Sequence, residues 1–127
     1  MGEHVDDRQA LLGALDAVFG PDGYDRLADS RRTQLVDNLT SVKAELLGSG
    51  FMPLIASRVR NGQVPTLLIG GQRSIGLFHP LTDRLEELLP AGERIEIPGA
   101  SHMMHEDNTA ACNAAIGAFL ERYRRVR

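Results

Sequence analysis

Three of the four histidines lie in the second half of this 127-residue chain, and His102 is the one best suited to chemistry. It closes the run Pro98-Gly99-Ala100-Ser101-His102, just after an alternating segment that reads as a strand. A histidine on such a turn can be aimed from a rigid base into a cleft at the carboxyl ends of strands. An imidazole with a pKa near 6.5 can then move protons at neutral pH as a general base. The alternative is a histidine exposed on a loop. His105 completes an H-x-x-H pair, and Glu106 or Asp107 could add a third metal ligand. A solvated loop is the simpler reading, so no metal and no cofactor are expected. Ser74 follows one strand pattern and precedes a helix, where a nucleophile could stand; its alternative is an ordinary loop serine. Met103 and Met104 either pack the loop or line an apolar substrate pocket. Cys112 has no basic neighbour on its helical face and reads as buried and inert. Arg122, Arg124, Arg125 and Arg127 fit a helix C-terminus better than a nucleic-acid site.

The elements that must position these groups follow from periodicity. Leu11, Leu12, Leu15, Val18 and Phe19 recur at helical spacing from Asp6 to Phe19, and Gly20-Pro21-Asp22-Gly23 ends that run. A second helix is expected from Tyr24 to Leu47, with Leu35, Val36, Leu39, Val42, Leu46 and Leu47 on its apolar face. Gly48-Ser49-Gly50 stops it. Phe51 to Gln63 reads as a connection. Val64 to Ile69 is a short apolar run ending at Gly70-Gly71, the pattern of a buried parallel strand. A helix from His79 to Leu89 with Leu81, Leu85, Leu88 and Leu89 on one face comes next, closed by Pro90-Ala91-Gly92. Arg94 to Ile97 alternates as an edge strand does. After the loop from Pro98 to Asn108, a last helix from Thr109 to Arg125 turns Ala111, Ala115, Ile116, Phe119, Leu120 and Tyr123 inward. Asp107 or Asn108 is its N-cap candidate, and Glu106 and Asp107 favour its dipole. Two strands joined by a helix form one parallel, right-handed βαβ unit.

Composition narrows the function classes. The length fits a single domain over residues 1–127. Hydrophobic residues make up 43% and charged residues 24%, too apolar for a disordered chain. A net charge of -3 argues against a general nucleic-acid binder, and the absence of Trp leaves little for stacking bases. No apolar run reaches the roughly 18 residues of a membrane helix, and no secretory pattern opens the chain. One cysteine excludes an intramolecular disulfide, and a cytoplasmic setting is expected.

From Val64 onward the sequence resembles the C-terminal end of α/β-hydrolase fold enzymes. The resemblance rests on Pro65-Thr66-Leu67-Leu68-Ile69-Gly70-Gly71, Leu88-Leu89-Pro90, Ile95-Glu96-Ile97, Pro98-Gly99-Ala100-Ser101-His102 and Phe119-Leu120, in that order. It covers about half the chain. It implies a partial α/β-hydrolase fold: a helical, cap-like segment over 1–50, then a C-terminal core segment over 64–127. By this resemblance His102 matches the catalytic histidine. Two departures stand beside the match. No G-x-S-x-G elbow occurs; the nearest run is Gln72-Arg73-Ser74-Ile75-Gly76, with Gln72 in place of glycine and bulky Arg73 where backbones crowd. The loop after the penultimate strand, a common place for the acid, has Ser74 in that position, and a hydroxyl cannot stabilise an imidazolium as a carboxylate does. Asp83 would fall on the following helix, as surface charge.

The resemblance therefore implies a hydrolase segment that contributes His102 to cleavage of a small ester, epoxide or carbon–carbon bond and is inactive alone. The missing groups would come from an N-terminal hydrolase half. The competing expectation is a non-catalytic remnant kept as an interaction or dimerisation module. A self-contained enzyme using Ser74 and His102 is the third. A two-stranded sheet is marginal in water, so the chain is expected to form a homodimer or bind its missing half.

Overall fold

A computed structural model describes residues 7–38, 40, 41, 44, 45, 48 and 53–124. The chain divides into two compact units, Met1–Pro53 and Leu54–Arg127.

In the first unit, α1 spans Asp7–Phe19. Its periodic apolar side shows in the burial of Leu15 and Phe19. The helix ends at Gly20, whose φ of +86° suits a residue without a side chain. The expected long helix from Tyr24 is shorter at its start. Residues 21–26 form turns, Ala28 is extended, and α2 spans only Asp29–Asp37. The turn holds itself: the Gly23 N–H donates to Gly20 O, and the Arg26 guanidinium donates to Phe19 O at 3.0 Å. The first bond closes the turn, and the second satisfies a carbonyl at the end of α1 that has no partner within the helix. Leu35 is half-buried, whereas Val36, expected on the apolar face, is exposed. Helical residues recur at 40, 41, 44 and 45; Leu39, Val42, Leu46 and Leu47 lie outside the described residues.

The second unit holds a small parallel sheet with helices on both faces. The expected connection Phe51–Gln63 contains a short helix, α3, at Ala56–Arg60. Five residues are too few to display a period. Strand β1 spans Thr66–Gly71. Its start is two residues later than expected, because Pro65 has no N–H for a ladder and Val64 is exposed. Gly70 and Gly71 belong to the strand rather than ending it. Helix α4 (Phe78–Leu88) follows, then β2 at Gly92–Ile97, which starts two residues earlier than the alternation suggested. The strands pair in parallel with Thr66 opposite Gly92 and Gly71 opposite Ile97. A parallel pair needs a crossover, and α4 supplies it.

Strand alternation assigns a helix to each face. Leu67, Ile69, Glu93, Ile95 and Ile97 share one face, where Ile69 and Ile97 pack with Ala111, Cys112 and Ala115 of α6 (Thr109–Arg122). On that side Glu93 also bonds Arg122 and, at 2.9 Å, the Tyr123 hydroxyl. Arg94 and Glu96 occupy the other face. There Arg94 pairs with Asp83 and with Glu86 at 3.5 Å, both on α4. Asp83 is thus a surface charge on the helix, as expected, and it is paired. Leu81 of α4 and Leu120 and Tyr123 near the end of α6, all expected inward, are exposed. Two strands are too narrow to cover the flanks of either helix, so only the residues over the ladder are shielded. The last helix ends at Arg122 rather than Arg125.

The loop Pro98–Asn108 contains one helical turn, α5, at Met104–Asp107. Asn108 is the N-cap of α6, its side chain accepting from the Ala111 N–H at 3.2 Å. Glu106 and Asp107 therefore end α5 instead of opening α6. No helix among the described residues is long and apolar enough to cross a membrane.

Candidate functional site at the carboxyl end of the strand pair

Both strands run the same way, so the loops that leave them emerge at one end of the sheet. Ser74 lies three residues beyond β1 and His102 five residues beyond β2. The loops are bound to each other by their backbones. The Gln72 N–H donates to Ile97 O at 3.1 Å, and the Arg73 N–H donates to Ala100 O at 2.8 Å. The Gly99 N–H donates to Gln72 Oε1 at 2.9 Å. Gly99 has φ +66°, a left-handed conformation that favours glycine.

Gly71 makes this approach possible. A Cβ at Gly71 would sit 1.8 Å from Ser101 O and 2.6 Å from Ala100 O, so no other residue fits without moving the turn before His102. The turn is also held from below. Ala100 and Ser101 are buried. Asp107 Oδ2 accepts from the Ser101 N–H at 2.7 Å, and Ser101 Oγ accepts from the Met103 N–H at 3.1 Å. These bonds satisfy backbone donors that burial would otherwise leave unpaired.

His102 rests on an aromatic surface. Its ring stacks on Phe78, the first residue of α4, with centroids 3.5 Å apart and planes 5° from parallel. Burial pushes the His102 pKa below its ordinary value, and the neighbouring charge of His105 lowers it further. Both effects favour the neutral imidazole, the form a general base needs.

Ser74 has a different setting. Its Oγ is buried and has no hydrogen-bond partner among the described residues. The hydroxyl and the His102 ring therefore form no nucleophile–base pair. The nearest imidazole bond to this residue comes from His79, whose Nε2 meets the Ser74 backbone oxygen at 3.1 Å. That carbonyl can only accept, so Nε2 carries the hydrogen. The other ring nitrogen of His79 lies 3.5 Å from Glu96 Oε1.

The remaining candidates separate. Met104 packs on the Ile97–Ala100–Cys112 cluster, and Met103 is half-buried and begins the α5 turn. His105 Nε2 faces Glu106 at 3.8 Å, while Asp107 is turned to the Ser101 N–H. Among the described residues no group of three or more His, Cys, Asp or Glu side chains is arranged to hold a metal ion. Cys112 is buried.

Sequence reasoning missed Phe78 and the site roles of Gly71, Asp107 and His79. One signal for Gly71 was present: paired small residues at Gly70-Gly71 and again at Gly99-Ala100-Ser101 mark two backbones that approach closely. The stack of Phe78 on His102 had no local signal. No family model matches the chain, and no curated protein or solved structure matches it either.

Proposed function

We propose that the second unit is a C-terminal α/β-hydrolase segment in which His102 acts as the general base. The reaction is hydrolysis of a small ester, epoxide or carbon–carbon bond. The nucleophile and the acid come from a further polypeptide segment, and the isolated chain is inactive. The observation that carries this reading is the placement of His102: a half-buried ring, held neutral, on a pinned turn beyond the carboxyl end of a parallel strand. Active-site groups of open α/β sheets gather at that end. The ordered run of matching segments from Pro65 to Leu120 supports the same assignment. A second reading, a non-catalytic interaction module, draws support from the unpartnered Ser74 hydroxyl.

The test has two arms. The purified chain is assayed on short p-nitrophenyl esters beside His102→Ala and Ser74→Ala, and no turnover is expected. Turnover abolished by either change would make the chain a self-contained enzyme instead. Complexes of the tagged chain recovered from its native cell are then assayed on the same esters and on a simple epoxide. The proposal expects hydrolysis that drops about 10²–10⁴-fold with His102→Ala, the usual contribution of general acid–base catalysis. Hydrolysis unchanged by His102→Ala would favour the interaction module.

A further inference from the structure

His79, in the first turn of α4, stands between two acceptors. Its Nε2 meets the backbone oxygen of Ser74 at 3.1 Å, and its Nδ1 lies 3.5 Å from Glu96 Oε1 on β2. Neither partner has a hydrogen to give, since one is a carbonyl and the other a carboxylate. A neutral imidazole carries one N–H, so it serves one acceptor and turns a lone pair on the other. The imidazolium, with a hydrogen on each nitrogen, serves both.

The charges around the ring suit that form. Arg94 on β2 is shared by three carboxylates: Asp83, Glu86 at 3.5 Å and Glu96 at 2.9 Å. Asp83 and Glu86 belong to α4, and Glu96 to β2. One guanidinium leaves this group with an excess of negative charge, which a second cation beside Glu96 reduces. Strand β1 carries no charge. Helix α3 also packs on α4 and carries Arg58 and Arg60, and neither pairs with the ring or with these carboxylates among the described residues. His102 stacks on Phe78, the residue next to His79.

We infer that His79 is a pH-sensitive clasp: its imidazolium ties the Ser74 loop and the start of α4 to Glu96 of β2, and loss of one proton opens the Glu96 end. The Ser74 bond is the shorter of the two and keeps the remaining hydrogen, while Glu96 keeps its bond to Arg94. The clasp is complete at low pH and opens as pH rises. That is the opposite sense to His102, whose surroundings favour its neutral form. Opening loosens the Phe78 surface on which the His102 ring rests, so the device reaches the candidate site through one peptide bond. It does not depend on the chemistry proposed for His102.

The full chain is followed by nuclear magnetic resonance from about pH 5 to 8, the range in which imidazoles change charge. The His79 ring signals report its proton. Amide exchange, corrected for the intrinsic effect of pH, reports opening at Ser74 and Phe78, whose N–H groups bond Gly71 O and Ile75 O. Protection at both amides should fall about two- to fivefold as His79 loses its proton, the modest scale of a pair whose members are 35% and 41% exposed. The fall should persist in His102→Phe. It should vanish in His79→Gln and in Glu96→Gln, which removes the charge and keeps the side-chain shape. Protection that stays constant while His79 titrates would overturn the clasp. So would a fall that survives Glu96→Gln, or one that disappears in His102→Phe and so belongs to the other ring. If Glu96→Gln fails to fold, salt at about 1 M takes its place, because it screens a part-exposed pair. A fall that shrinks in salt supports the clasp, and one that salt leaves unchanged overturns it.

Discussion

The two loops at the carboxyl end of the sheet leave similar strands and end up differently built. The turn from Pro98 to Met103 has its backbone donors matched: Ser101 N–H to Asp107, Met103 N–H to Ser101 Oγ, and the exposed Gly99 N–H to Gln72. It delivers a ring onto Phe78. The loop after β1 lends its backbone to that construction and leaves its own hydroxyl, Ser74 Oγ, buried and unpaired. A buried polar group without a partner costs free energy, so such a group persists where something other than stability retains it or where a further group completes it. The contrast separates a side chain held in place from one held in reserve.

Gly71→Ala should break that contrast most severely. The added methyl collides with the Ser101 carbonyl, and displacing the pinned turn should cost about 3 kcal/mol, at the upper end of overpacking penalties. The loss is read from urea unfolding followed by the amide resonances of β2. Phe78→Ala comes next. It should cost about 2 kcal/mol, less than the full burial of a phenylalanine contributes, and should let the His102 pKa climb back towards its ordinary value in an imidazole titration. An unchanged titration would mean that the stack is not what desolvates the ring.

Asp107→Ala removes the acceptor for a buried N–H and should cost about 1–2 kcal/mol in the same unfolding assay, with the Ser101 amide exchanging faster. Ser74→Ala should act in the opposite direction. Deleting an unpaired buried hydroxyl should stabilise the unit by about 1 kcal/mol, and a loss of stability would show that the hydroxyl has a partner in solution.

The smallest effect is on pH dependence. The folded pKa of His102 lies below the unfolded value, so the unfolded chain binds more protons in the window between them. The contribution of His102 to stability is therefore complete above a pH of about 6.5 and is lost as pH falls through the folded pKa. His102→Phe, which keeps a flat ring on Phe78, should abolish this slope. A slope that survives belongs to another group.

Much of the second unit was legible because its signals are local. The apolar run before Gly70-Gly71 and the alternation of Arg94–Ile97 require a crossover helix between them, and the strands are parallel. The positions of Ser74 and His102 at one sheet end follow from that topology alone. Boundaries were less legible where a missing N–H or a turn set them: Pro65 delayed β1, and the turn that follows Gly20 runs on to residue 26, ahead of α2. Helices of four and five residues show no period. The contacts that shape the site could not be read, since Gly71 against Ser101 and Phe78 against His102 join residues distant in sequence.

Cys112 gives the fold an internal clock. It is the single cysteine of the chain, and it lies 4% exposed in the cluster with Ile97 and Ala100, directly beneath the turn that carries His102. A thiol so placed reacts with an alkylating reagent when the cluster opens. Its labelling rate therefore counts openings of the region that holds the imidazole, without any added probe. Substitutions that loosen the turn should shorten the labelling time, and whatever occupies the carboxyl end of the sheet should lengthen it.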